Sequence, residues 1–353
     1  MLGTNSIGAR ARRRRVVTPP GENRWRVPRV LTCLSILILL VSPLGGCSGL
    51  APSQSPQLRL AQVHPFGATR VAFSPAGNRL ASGGLMGEVQ VWSLPAGERL
   101  SVLARHDGAI RTLLWLDERR LLSASAEGYI RVWNPSSRAV DATLETDAIA
   151  AAALLPTPTR LFVGYAAGRV RSLAYPGFEK LSEVELASPV LSIAVEPARQ
   201  WVAVSTADRS VRLFDSRLQL VRKLQTPPGK VRELRFSPDG RQLAGGGWFS
   251  IYLWSPETGE LDIRRSEHNG AVVSLDYSPD GGQLVTIGRY TDSSLRVTNI
   301  ADGGVRRRLS PHPLCGWNVR FSPDGRSVAS SSEDGSIHLY DLTIPYRPTR
   351  FHQ

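Results

Sequence analysis

The chain has 353 residues, room for one large or two ordinary domains, and its hydrophobic content of 42% supplies a sizeable core. The formal charge of +13 is unevenly spread, because residues 1–46 hold eight arginines and one glutamate and account for about half of it. The remainder is mildly basic without a dense basic stripe, which removes the charge-based case for nucleic acid, and the three cysteines have no C-x-x-C spacing to suggest a sulfur-rich metal module.

The leader comes first. Arg12 to Arg15 are consecutive arginines, with Arg24, Arg26 and Arg29 after them. Val30 to Val41 is then an apolar run of 12 residues. A bilayer-spanning helix takes about 20 residues, so this run suits the apolar stretch of a secretory signal peptide after its positive start. Leu44-Gly45-Gly46-Cys47 follows. This tetrad resembles the bacterial lipobox, an aliphatic residue and two small residues before a cysteine. The resemblance implies cleavage between Gly46 and Cys47, a diacylglycerol thioether on Cys47, and acylation of the new amine. Several acyl chains anchor stably, at roughly 0.8 kcal/mol per buried methylene. Ser48 rather than Asp after the cysteine implies the outer membrane by the sorting rule of such lipoproteins. Ser48 to Pro56 is rich in Gly, Ser, Pro and Gln and reads as a flexible tether, reaching on the order of 17 Å.

Beyond the tether a unit recurs, clearest at Arg235 to Trp254. Phe236 ends one alternating run, Ser237-Pro238-Asp239-Gly240 is a tight turn, and Gln242 to Gly245 begins a second strand. A Gly-rich turn then leads to Ile251-Tyr252-Leu253-Trp254. Three short strands cannot bury a face alone. Strand-ending positions Trp92, Trp133, Leu173, Phe214, Trp254, Thr298 and Tyr340 are separated by 41, 40, 41, 40, 44 and 42 residues, the period of a four-stranded propeller blade.

On these residues the chain resembles the WD40 family. Val91-Trp92-Ser93, Val132-Trp133-Asn134, Leu213-Phe214-Asp215, Leu253-Trp254-Ser255 and Leu339-Tyr340-Asp341 stand at the Trp-Asp dipeptide. The turn Ser-Pro-Asp-Gly recurs at Ser237, Ser278 and Ser322. The histidine before the first strand appears as His64, His106, His268 and His312, and the turn aspartate only at Asp208 and Asp334. The unit at 146–184 lacks His, Asp and Trp, the fifth has Trp248 in place of Asp, and the sixth is longer around Arg289 to Ser294. The resemblance implies an Asp-His-Ser-Trp hydrogen-bond network, for which His312, Asp334 and a serine of Ser330 to Ser332 are the best set, with Tyr340 in the Trp position. Seven units are present and the last lacks a fourth strand, which the family supplies from the N-terminal segment, here Gln57 to Val63. The expected organisation is an all-β, seven-bladed propeller closed in this way: signal peptide 1–46, lipidated Cys47 and tether 47–56, propeller 57–345 and tail 346–353.

No catalytic or phosphate-loop motif occurs, and no carboxylate or histidine set has the spacing of a metal site. No cofactor, metal or catalytic residue is expected, and the chain reads as a non-enzyme. In the family the residue just inside each blade's first strand lines the top opening: Thr69, Arg111, Ala150, Leu191, Arg232, Val273 and Trp317. The turns between second and third strands add Leu85, Met86, Trp248 and Phe249. Arg and Trp are hot-spot types, so Arg111, Arg232, Trp248, Phe249 and Trp317 form the candidate partner-binding face. Cys315 has no expected disulfide partner once Cys47 is lipidated. The resulting reading is a monomeric, membrane-anchored scaffold facing the periplasm and binding an envelope protein or peptide, with no nucleic acid. The alternatives are a propeller enzyme or small-ligand binder using the central channel, and an accessory part of an outer-membrane protein assembly machine.

Overall fold

The computed structural model describes residues 53–156, 159–290 and 292–346. The segments expected to form a signal peptide, its cleavage site and a lipidated Cys47 lie outside the described residues, as does nearly all of the tail.

Among the described residues every regular element is a strand. Strand β1 (Leu58–Leu60) precedes the first blade. Blade one is β2 (Ala68–Phe73), β3 (Arg79–Gly84), β4 (Val89–Ser93) and β5 (Arg99–Leu103). Blade two is β6 (Ile110–Trp115), β7 (Leu121–Ser125), β8 (Tyr129–Asn134) and β9 (Ala139–Glu145). Blade three is β10 (Ile149–Pro156), β11 (Thr159–Tyr165), β12 (Arg169–Ala174) and β13 (Lys180–Glu185). Blade four is β14 (Val190–Glu196), β15 (Trp201–Thr206), β16 (Val211–Phe214) and β17 (Leu220–Lys223). Blade five is β18 (Leu234–Phe236), β19 (Leu243–Gly246), β20 (Ser250–Trp254) and β21 (Leu261–Arg265). Blade six is β22 (Ala271–Tyr277), β23 (Gln283–Arg289), β24 (Leu295–Asn299) and β25 (Val305–Leu309). Blade seven is β26 (Gly316–Phe321), β27 (Ser327–Ser332) and β28 (Ile337–Asp341), and β1 completes it.

Each blade is a four-stranded antiparallel sheet, and the seven form a β-propeller. In the last sheet Leu58 pairs with Leu339 and Leu60 with Ile337, so the N-terminal strand closes the ring. The core cluster at that seam joins Leu60 to Ile337 and Leu339 of blade seven and to Val71, Leu80 and Trp92 of blade one. The chain is held even earlier than the expected tether boundary. Gln54 exchanges backbone bonds with Arg308 and Ser310 of blade six, and its Nε2 donates to the Asp341 carbonyl at 2.5 Å.

Burial explains the strand order. All five residues of β7 are buried, because neighbouring blades cover both of its faces. The outermost β17 is exposed at all four residues. The Ser-Pro-Asp-Gly turns are built alike. Ser237 Oγ donates to Asp239 Oδ1 at 2.6 Å, the Arg241 amide donates to the same oxygen at 3.0 Å, and Gly240 takes φ 68°.

Buried histidines staple the blades. His106 Nε2 lies 2.6 Å from Ser123 Oγ, and Trp133 Nε1 donates to that hydroxyl at 2.7 Å. His64, Ser82 and Trp92 repeat the arrangement at 2.8 Å for both bonds. Blade seven departs from the expected network. Ser336 Oγ donates to Asp334 Oδ1 at 2.6 Å and receives His312 Nδ1 at 2.9 Å, so the aspartate acts on the ring through a serine. His312 Nε2 then accepts from Ser330 Oγ at 2.8 Å. Tyr340 stands in the tryptophan position beside Ser330, and its hydroxyl also donates to the Ser310 carbonyl at 2.6 Å. The direct His–Asp pair is in blade six, where Asp292 Oδ2 lies 3.2 Å from His268 Nδ1. Asp292 was masked in the sequence by the lengthened loop around it. Trp254 of blade five has no histidine and donates instead to the Gln225 carbonyl at 2.8 Å. Phe214 simply packs in the core with Val202 and Leu218.

Burial pushes His106 down to about 4, with Arg131 adding repulsion, and His312 down to about 3, with His338 adding repulsion. Both folded values lie below the ordinary 6.5, so the unfolded chain takes up protons first as pH falls. Their contribution is intact above that value and is lost toward about 4, at about 1.4 kcal/mol per pH unit for each ring. Urea unfolding at pH 7.5, 6 and 5 is expected to show this slope, and His106→Gln to flatten it by one histidine's share. A midpoint unchanged between pH 7.5 and 5 contradicts the assignment.

Candidate functional site

Antiparallel strands reverse direction at every turn, so turns alternate between the two ends of a blade. The Ser-Pro-Asp-Gly turns lie at one end. The turns between second and third strands, together with the connections between blades, lie at the other, the mouth. β1 runs antiparallel to β28, so the chain enters the propeller from the end opposite the mouth.

The innermost strands of six blades carry a register shift at the mouth, between Ala68 and Arg70, Ile110 and Thr112, Ile149 and Ala151, Val190 and Ser192, Val272 and Ser274, and Gly316 and Asn318. A bulge leaves one residue unpaired and re-aims its side chain. The bulged residues are Thr69, Arg111, Ala150, Leu191, Val273 and Trp317, the positions expected at the top opening. All but Thr69 line a cavity of about 470 Å³, which Arg232 joins from just before β18. Thr69 is buried instead and donates to the Ile110 carbonyl at 2.8 Å, and Arg70 takes its place.

Below the mouth a second cavity of about 220 Å³ shares Arg70, Arg111, Leu191, Arg232 and Glu233 with the first and adds Arg235 and Arg320. Glu233 is the hub. Its Oε1 accepts from Arg320 Nη2 at 2.5 Å and pairs with Arg235 Nη2 at 2.9 Å. Asp276 Oδ1 lies 3.3 Å from Arg235 Nε. Arg70 has no carboxylate. Its Nε and Nη1 donate to the carbonyls of Arg111 and Thr69 at 2.7 and 2.8 Å. The side chains of Arg111 and Arg232 are exposed to the cavity and make no hydrogen bond or ion pair with the described residues. Burial pushes Arg70 down to about 10, with Glu233 opposing and Arg320, Arg111 and Arg235 adding repulsion, so it remains charged at neutral pH. Burial opposes the ionised form of Glu233, yet Arg320, Arg235 and Arg70 together hold it below the ordinary value.

An aromatic shelf leads outward from the mouth. Trp248 stacks on Tyr290 with centroids 5.3 Å apart and planes at 10°. The Arg289 guanidinium lies 3.8 Å from the centroid of Trp317 and 5.7 Å from that of Tyr290, and pairs with Glu333 at 2.9 Å. Trp248, Phe249 and Tyr290 are 53%, 49% and 54% exposed. Trp248 therefore covers a neighbouring ring without hiding its own. Phe249 and Tyr290 hold φ at 54° and 74°. Leu85 and Met86 are half-buried in the equivalent turn of blade one.

Arg70, Glu233, Arg289 and Tyr290 were not foreseen in the sequence. The signal for Tyr290 is the lengthened sixth unit, whereas Arg70 has none in the sequence, because the bulge that moves the cavity-facing position by one residue exists only in the fold. Cys315 is a free, half-buried thiol in the loop before β26. Among the described residues no group of three or more His, Cys, Asp or Glu is placed to hold a metal ion.

Four segments, 97–134, 184–215, 218–255 and 305–341, match the family model described as WD domain, G-beta repeat. Each begins near or on the outer strand of one blade and ends with the third strand of the next, so the repeat is offset from the blade by one strand. The chain is similar to Periodic tryptophan protein 2 of Arabidopsis thaliana, 28% identical across 82% of this chain and 30% of the relative. It is also similar to the Periodic tryptophan protein 2 homolog of Dictyostelium discoideum, 26% identical across 52% of this chain and 20% of the relative. Human WD repeat-containing protein 90 is 26% identical across 71% of this chain and 13% of the relative. The chain thus spans less than a third of the length of each of these relatives. The strand order and the closed ring make the chain a seven-bladed β-propeller, and four of its segments match the WD40 repeat.

Proposed function

We propose that this propeller is a non-catalytic interaction scaffold, tethered by lipid on Cys47 to the bacterial outer membrane and facing the periplasm, and that it captures an envelope protein or peptide on its mouth face. The observation that carries the reading is the shelf of Trp248, Phe249 and Tyr290. Three half-exposed aromatic rings on adjacent turns are surplus to the core, and aromatic anchors beside an arginine are the composition of interface hot spots. WD40 propellers generally bind protein partners, which supports the same reading. The leader supports the anchor through its arginines, its apolar run and the Leu44-Gly45-Gly46-Cys47 tetrad.

Two experiments test the parts separately. Cys47→Ala is expected to move the protein from the membrane fraction to the soluble fraction of cells and to abolish labelling by radioactive palmitate. Retention of the variant in the membrane fraction refutes the anchor.

For the shelf, Phe249→Gly removes a ring from a backbone position of positive φ. Its stability by urea unfolding is expected to be unchanged or raised by up to about 1 kcal/mol. Crosslinking in intact cells followed by mass spectrometry is expected to lose the protein partner in Phe249→Gly and in Trp248→Ala. A partner captured equally by wild type and both variants removes the shelf from the binding face.

A further inference from the structure

We propose that the central channel is a binding site for a small anion carrying two or more negative charges on phosphate or carboxylate oxygens. Five arginines, Arg70, Arg111, Arg232, Arg235 and Arg320, line the deeper cavity. Arg235 and Arg320 are compensated by Glu233 and Asp276. The other three have no carboxylate within ion-pair distance among the described residues. They come from blades one, two and five, so the fold itself draws three unpaired positive charges to one cavity.

Each is presented for binding. Arg70 is aimed by its two backbone carbonyl acceptors, and Arg111 is the bulged residue of its strand. Arg232 stands just ahead of β18, beside Glu233. Guanidinium forks match the geometry of phosphate and carboxylate oxygens, and a concave, low-dielectric wall concentrates the field of like charges. On the wall between the arginines, Ala150 and Leu191 are apolar, so the site has a charged edge and an uncharged one. The mouth's volume of about 470 Å³ admits a small molecule rather than a folded domain. The shelf is not required for this site, and either proposal can fail without the other.

The test is calorimetric titration of the full chain in uncharged detergent at low salt, with pyrophosphate, citrate and acetate as probes. One saturable site is expected for pyrophosphate, citrate or both, weakening as salt rises, with acetate at least a hundredfold weaker. Binding of pyrophosphate alone assigns phosphate oxygens, and of citrate alone carboxylates. Arg111→Gln and Arg232→Gln are each expected to weaken binding by about tenfold. Both side chains are unpartnered and exposed, so the double variant is expected to melt at or above the wild-type temperature, and the shift given to wild type by the bound probe is expected to vanish in it. Absence of heat with both polyanions overturns the proposal. So does acetate binding as tightly as pyrophosphate, or affinity unchanged in the double variant, which would place the anion outside the channel.

Discussion

The rest of the molecule depends on closure of the ring. The second strands of these blades are buried on both faces; β7 and β27 have scarcely an exposed atom. Such strands are stable only while a neighbouring blade covers each side, and a ring alone provides that for every blade. The closing contact is short, three residues of β1 against β28. Its importance comes from what it covers. Leu60, Ile337 and Leu339 form one cluster with Val71, Leu80 and Trp92, so the strand that completes blade seven also welds it to blade one. Fully burying a leucine is worth about 1.5–3 kcal/mol, and loss of the strand would uncover several such residues at once. The offset between repeat and blade produces the same interlock at every seam, since each repeat contributes its first strand to the blade before it.

Closure also makes the functional geometry. Seven innermost strands converge on one axis, and whatever stands at their bulges is brought within reach of its counterparts. In blades three, four and six the bulged residues are Ala150, Leu191 and Val273, which leave space. In blade two it is Arg111, and in blade seven Trp317. A bulge therefore selects what faces the axis. In blade one it turns Thr69 into the seam and gives the axis Arg70. The same convergence forces guanidinium groups together, and Glu233 sits among them with its charge held by three arginines.

The repeat period, the turn chemistry and the closing strand were legible in the sequence because each rests on local chemistry. Ser-Pro-Asp-Gly fixes its own turn through Asp239, Asp280 or Asp324, and a period near 41 counts blades without knowledge of contacts. The top-opening positions were legible to within one residue, which is the size of the error a bulge introduces. What could not be read depends on distance across sequence. Asp292 meets His268, 24 residues before it in the chain, across the blade. Arg289 lies between Tyr290 and Trp317 only because blades six and seven adjoin. Nor does any local pattern reveal that Ser336 would stand between His312 and Asp334, or that Tyr340 would reach the Ser310 carbonyl.

The turn that carries the shelf shows how much the fold itself asks for. In blades one, two, three and seven the third residue after the second strand, or the last turn residue equivalent to it, is Gly87, Gly128, Gly168 or Gly335, each at positive φ. A side chain at Gly87 would meet the His106 carbonyl oxygen, and one at Gly128 the Thr146 carbonyl oxygen, so glycine there is a steric requirement as well as a conformational convenience. Blade five puts Phe249 at that position, with φ 54° and its ring half exposed. A bulky residue in the left-handed region costs about 1–2 kcal/mol. Aromatic pairing contributes about 0.5–1.5 kcal/mol beyond burial, and the Phe249 ring lies tilted against Trp248 at 5.9 Å. These terms are comparable, so folding gains little from Phe249 that a glycine would not provide. What the phenylalanine adds is exposed aromatic surface next to Trp248 and Tyr290, at the rim of a cavity lined with arginine.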